Sequence, residues 1–152
     1  MEEYVAGLRA RAGEALQMEY QHVLMVNRDP VLLDLARALL QEERYNVTTT
    51  NAVPLTFALI AAARPALLII DLNLTEQSGW DLLIRLHQEA LTAAIPVVVT
   101  ARDARLLAHA HRYPDLFGAQ SYLAIPFSVD ALLGHVRARI GGSETTQDPA
   151  ER

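Results

Sequence analysis

Three stretches of this chain are apolar almost without interruption: HVLMVN at 22–27, ALLII at 66–70 and PVVVT at 96–100. A strand with one face in water alternates apolar and polar residues, and these do not. Both faces of such strands must be covered, which is the signature of a parallel sheet between layers of helix. The intervening segments carry helical spacing instead of a period of two. Alternation of this kind predicts an α/β fold with a doubly wound, five-stranded parallel sheet, (βα)5. The chain has 152 residues, 51% of them apolar, enough for one domain with a sizeable core.

The elements follow from local signals. Asp29-Pro30 starts a helix, with aspartate at the N-cap and proline at the first helical position. It runs to about Arg44, with Leu32, Leu35, Leu39 and Leu40 inward. NVTTT at 46–50 is β-branched and half polar, as an edge strand would be. Helices are expected over Pro54–Ala63, Trp80–Glu89 and Arg102–Arg112. SYLA at 121–124 is a last short strand, and Ser128 caps a final helix with Val129, Leu132, Leu133, Val136 and Ile140 on one face. Residues 1–20 read as a short N-terminal helix, packed on its own domain or serving a homodimer. Residues 21–141 form the domain, and the polar stretch 142–152 reads as a disordered tail.

In an open parallel sheet, ligands meet the chain beyond the carboxyl ends of the strands, where strand order reverses. The residues leaving those ends are Asn27, Arg28 and Asp29, then Asp71, then Thr100 and Ala101, and finally Ile125 with Pro126. Asp71 attracts attention because four aliphatic residues run straight into its charge.

Several classes fall away on composition. There are no cysteines, hence no disulfide, thiolate metal site or cysteine nucleophile. The net charge of −5 asks for neither nucleic acid nor an anionic membrane. No signal-peptide core opens the chain, so a cytoplasmic setting is expected. All 13 basic residues are arginine, which excludes any mechanism that needs a lysine.

The chain resembles a response-regulator receiver domain over about residues 22 to 140. The strand-end Asp71 with Gly79 eight residues later, IPVVVTA at 95–101 and YLAIPF at 122–127 carry the likeness, in order and at the right strand ends. The resemblance implies a flavodoxin-like sheet of order 2-1-3-4-5. It makes Asp71 the phospho-acceptor, Thr100 and Tyr122 the switch residues, and the Ile125–Pro126 peptide cis. It also implies Mg²⁺ held by two acids after the first strand, by the acceptor and by one backbone carbonyl, here that of Asn73. A hydroxyl and a lysine would contact the phosphate. Three positions depart: Asn27 and Arg28 stand where the acids belong, and Ile125 where the lysine belongs. A guanidinium has only donors and cannot ligate a metal, so Mg²⁺ is doubtful. The expectation is that Arg28 pairs with Asp71 in the cation's place. The alternative is that Arg28 points to solvent and Asp71, left unpaired, is phosphorylated slowly with weak help from Mg²⁺. Asp29 is read as an N-cap.

The expected protein is thus a stand-alone receiver of two-component signalling with a degenerate pocket. Its output is protein binding, and its partner a sensor histidine kinase or another signalling protein. A phosphorylation-independent pseudo-receiver is the nearest alternative. Arg102, Arg105, His109 and Arg112 have offsets that place them on one helical face, a candidate partner surface. His109 and His111, two apart, should diverge. No enzyme is expected beyond self-phosphorylation from a phosphodonor. DLNLT at 71–75 is similar to the DxDxT loop of haloacid-dehalogenase-type phosphatases. Its second acid is Asn73, however, and that chemistry also needs a lysine. A flavodoxin-like FMN module would need a Ser/Thr/Gly-rich phosphate loop, and NRDPVLL offers none.

Overall fold

The computed structural model describes residues 20–51, 56–74, 79–113 and 121–141. The expected tail, nearly all of the expected N-terminal helix, and Pro54 at the start of the expected second helix lie outside them. The elements are β1 (His22–Val26), α1 (Pro30–Glu42), β2 (Asn46–Thr50), α2 (Thr56–Ala63), β3 (Leu67–Asp71), α3 (Gly79–Gln88), β4 (Val97–Ala101), α4 (Ala104–His111), β5 (Ser121–Ala124) and α5 (Val129–Ile140). All strand pairs are parallel, in the order β2-β1-β3-β4-β5. This is the predicted flavodoxin-like sheet.

Alternate residues of the central strands feed two cores. Val23, Met25, Leu67, Ile69 and Val98 pack with Leu33, Ala36 and Leu40 of α1 and Leu132, Leu133 and Val136 of α5. Leu24, Val26, Leu68, Ile70, Val97 and Val99 pack with Ile60 of α2, Leu82, Leu83 and Leu86 of α3 and Ala110 of α4. Every residue of β3 and β4 is buried, whereas β2 is half-buried along its length, as its threonines and edge position require.

Two inward assignments are corrected. Leu35 is 55% exposed and Val129 46% exposed. In α1 the buried positions are Leu33, Ala36 and Leu40, flanked by the partly buried Leu32 and Leu39. The small Ala36 turns the helix toward the sheet, and Leu35 is carried to the outside. α1 and α2 each stop just before an arginine in left-handed backbone, Arg44 at φ 65° and Arg64 at φ 46°, where glycine is the usual residue.

β1 lies between β2 and β3, so the chain reverses direction of travel across the sheet at β1 and β3. The carboxyl ends of those two strands are Val26, leading to Asn27, and Asp71. The topology therefore brings Asn27, Arg28 and Asp29 beside Asp71.

Candidate functional site: an aspartate at the switch point of the sheet

Asp71 and Thr100 are register partners on β3 and β4. The Thr100 hydroxyl donates to Asp71 Oδ1 at 2.7 Å, and the Asn73 N–H donates to Oδ2 at 3.0 Å. Asp71 is only 5% exposed, and these two donors hold its carboxylate. Beyond it the chain stays tied to the sheet: Leu72 N–H donates to Thr100 O at 3.0 Å, and Gly79 N–H donates to Leu72 O at 3.1 Å. Gly79 is there because nothing larger fits. A Cβ at that position would lie 2.2 Å from Asp71 O and 2.7 Å from Leu72 Cα.

Above Asp71 opens a cleft of about 360 Å³. Of the predicted site residues, Asn27, Arg28, Asp29, Asp71, Asn73 and Ala101 line it. Thr100 acts from beneath through its hydrogen bond. Ile125 does not reach the lining; it is buried, and its N–H donates to Ala101 O at 2.9 Å, which ties β5 to the end of β4. The Ile125–Pro126 peptide is cis, as expected. Tyr122 is half-buried, stacks on His111 at 4.5 Å between centroids, and donates a long hydrogen bond of 3.4 Å to Ala110 O. His109 instead meets Trp80 and Tyr113 edge-on, so the two histidines diverge.

The expected ion pair between Arg28 and Asp71 is not formed. Arg28 is exposed, and the Asp71 oxygens are engaged by Thr100 and Asn73. A long side chain leaving the end of β1 gains more from water than from a carboxylate already held by two donors. Arg102 was expected on the face of α4. It lies instead in the turn before it, because Asp103 caps α4 by accepting from Arg105 N–H at 2.8 Å. Arg102 lines the cleft with Asp103 and Leu106, three residues that spacing alone did not bring to the site. Its guanidinium reaches Asp29 at 3.0 Å.

Asp29 is the N-cap that the sequence predicts. Its Oδ1 accepts from Val31 N–H at 3.0 Å and Leu32 N–H at 3.3 Å, while Oδ2 takes Arg102. Asn27 is also committed, since its Oδ1 accepts from Asp29 N–H at 2.9 Å. A divalent magnesium ion demands several free oxygen ligands in octahedral array. Here the carboxylates of Asp71 and Asp29 and the amide of Asn27 already hold other partners, and two guanidiniums share the cleft. This donor set does not fit Mg²⁺.

Burial raises the pKa of Asp71 above its ordinary value. The Thr100 hydrogen bond, the Asn73 N–H, Arg102 and Arg28 act in the opposite sense, in that order. A carboxylate whose folded pKa is raised favours the fold while protonated. Its contribution is complete below the ordinary aspartate range, about pH 4, and is lost as pH rises through the raised value. Asp71→Asn keeps the shape and discards the charge. The variant is expected to melt a few degrees above the wild type at pH 7, with the gap closing toward pH 4. Thermal denaturation at both pH values checks this; an Asp71→Asn protein less stable than wild type at pH 7 would refute it.

A doubly wound sheet with a buried, hydroxyl-bonded aspartate at its switch point defines a flavodoxin-like α/β domain with an acidic site. The family model for the response regulator receiver domain matches residues 23–137, and the chain belongs to that family. It is 31% identical over 118 residues to TcrX of Mycobacterium tuberculosis, named as a probable transcriptional regulatory protein, covering 76% of this chain and 48% of that one. RpaA of Synechocystis, named as a DNA-binding dual master transcriptional regulator, is 29% identical over 116 residues, 76% of this chain and 47% of that one. The chain thus spans about half the length of the curated relatives it matches. Among solved structures, chemotaxis protein CheY4 of Vibrio cholerae superposes with a TM-score of 0.72 at 19% identity, over 79% of this chain and 98% of that one. The receiver domain of sensor histidine kinase PA1611 of Pseudomonas aeruginosa, described with magnesium in its active-site cleft, gives 0.71 at 21% identity, over 81% and 99%. Both are likenesses of fold. Among the described residues, no helix is long and apolar enough to cross a membrane.

Proposed function

We propose that this receiver domain signals in the cytoplasm by accepting a phosphoryl group on Asp71, with little help from Mg²⁺, and by changing which protein it binds. The observation that carries the reading is the pose of Asp71: a buried strand-end carboxylate that lines an open cleft and whose two oxygens are held by Thr100 and Asn73. In the transfer, one carboxylate oxygen attacks the phosphorus of a kinase phosphohistidine or a small acyl phosphate. The P–N or P–O bond to the leaving group breaks in line, and the leaving group keeps the electron pair. Positioning and charge supply most of the catalysis of such a step. A cleft lacking the family's acid pair is therefore slow. No turnover beyond the domain's own phosphorylation is proposed.

The output is protein binding, through a histidine kinase, another signalling protein or a second copy. The exposed Arg105, His109 and Arg112 of the α4 region remain the candidate partner face, without Arg102. The second reading is a phosphorylation-independent module, favoured by the side-chain oxygens of Asp29 and Asn27 already accepting hydrogen bonds.

Intact mass after incubation with acetyl phosphate, with and without Mg²⁺, separates the two. One added phosphoryl group, absent from Asp71→Asn, is the expected result. No adduct at long times would leave the second reading.

A further inference from the structure

The cleft poses an electrostatic problem that its own residues must solve. Phosphorylation replaces one negative charge at Asp71 by roughly 1.5 to 2. The donor set does not fit a divalent cation, the chain has no lysine, and Ile125 does not line the cleft. The cations on the lining are Arg28 and Arg102.

Arg102 is placed for the task. It follows Thr100 by two residues, and Thr100 bonds Asp71 directly. Asp29 leaves the end of β1 and Arg102 the end of β4, with β3 and Asp71 between them. Their ion pair therefore spans the cleft from one side of Asp71 to the other. That pair is inexpensive to open: the side chains are 61% and 36% exposed, and exposed pairs contribute little. Asp29 would not be stranded, because its Oδ1 keeps the N-cap of α1. A phosphoryl group offers a larger charge and several oxygens to a planar guanidinium that binds two at once, so it outcompetes a single carboxylate oxygen.

We propose that Arg102 is the phosphoryl-binding residue of this domain: it leaves Asp29 when Asp71 is phosphorylated and grips the new oxyanion in place of a metal ion. The proposal rests on Asp71 as phospho-acceptor. Arg102 immediately precedes Asp103, the N-cap of α4. Drawing Arg102 inward pulls on the start of that helix, which transmits the state of Asp71 to the candidate partner face.

Two arms test this. In the first, wild type, Arg102→Gln and Arg102→Lys are phosphorylated with a small phosphodonor in EDTA, and decay of the adduct is followed by intact mass. The wild-type adduct should form without metal. Arg102→Gln should lose it at least about tenfold faster, the consequence of one lost charge-assisted contact, and Arg102→Lys should recover part of the difference. An adduct that requires Mg²⁺, or one of equal lifetime in Arg102→Gln, overturns the proposal. The second arm needs no phosphorylation. Inorganic phosphate is titrated in EDTA into Asp71→Asn protein while the arginine Nε resonances are observed. A saturable shift of Arg102 sustains the proposal and an unmoved Arg102 overturns it. If no adduct forms in any protein, the phospho-acceptor reading fails, and the phosphate titration alone decides whether Arg102 is an oxyanion ligand.

Discussion

Replacing Gly79 by alanine is expected to destabilise the domain by about 3 kcal/mol or more and to displace Asp71 in the same stroke. The added Cβ meets Asp71 O at 2.2 Å, Leu72 Cα at 2.7 Å and Asp71 C at 3.0 Å. These are backbone atoms, with no flexible side chain to swing aside. They belong to the end of β3, whose register with β4 sets the Thr100–Asp71 hydrogen bond. Something must move, and because the atoms met are the backbone of Asp71 and Leu72, the carboxylate is expected to be re-aimed. Gly134 supplies the contrast. It lies within α5, and a Cβ there meets nothing within 4 Å. Gly134→Ala should stabilise the protein by about 0.5–1 kcal/mol, since glycine is costly inside a helix. Denaturant unfolding of the two variants should give opposite signs. A near-neutral Gly79→Ala would mean that the start of α3 can move away from β3 and that the glycine does not hold Asp71 in place.

The contrast also shows what the sequence could convey. The strands were legible because aliphatic runs with no polar partner face have few alternatives, and the strand ends followed from them. Topology alone puts Asp71, Thr100, Asn27 and Asp29 at the carboxyl ends of the strands. The N-cap role of Asp29 was legible for the same reason that proline follows it. What failed was the choice between adjacent helical stripes. α1 offers two sets of apolar residues one position apart, and hydrophobicity does not say that the smaller Ala36, and not Leu35, faces the sheet. The place of Arg102 failed on a signal that was present, since Asp103 is a good N-cap and starts α4 after the arginine. Its partner was beyond reach: Asp29 is 73 positions away, and nothing in local spacing encodes a contact across three strands. The Arg28–Asp71 pair failed because proximity in the sheet does not orient a long side chain toward a carboxylate that already has two donors.

That failure points to the second large effect, the conversion of the cleft into a metal site. Asn27→Asp with Arg28→Asp makes it three units more negative, one from the first change and two from the second. The first is close to isosteric, so the bond that Asn27 Oδ1 accepts from Asp29 N–H can persist. The second removes an exposed side chain and disturbs no packing. Four carboxylates then converge at the ends of β1 and β3, Asp29 and Asp71 among them, and their mutual repulsion should lower the melting temperature by several degrees in EDTA. Magnesium relieves it. At ten times its dissociation constant the ion returns about 1.4 kcal/mol, a shift readily seen in a domain of this size. Wild-type protein should show almost no such response, because its cleft opposes a dication with two guanidiniums. Thermal melts of both proteins across a magnesium series make the comparison directly. A double variant that stays indifferent to magnesium would show that the missing acids are not the obstacle. The Asp29–Arg102 pair across the mouth of the cleft would then be what denies the ion entry, and opening it with Arg102→Gln in the same background should restore the response.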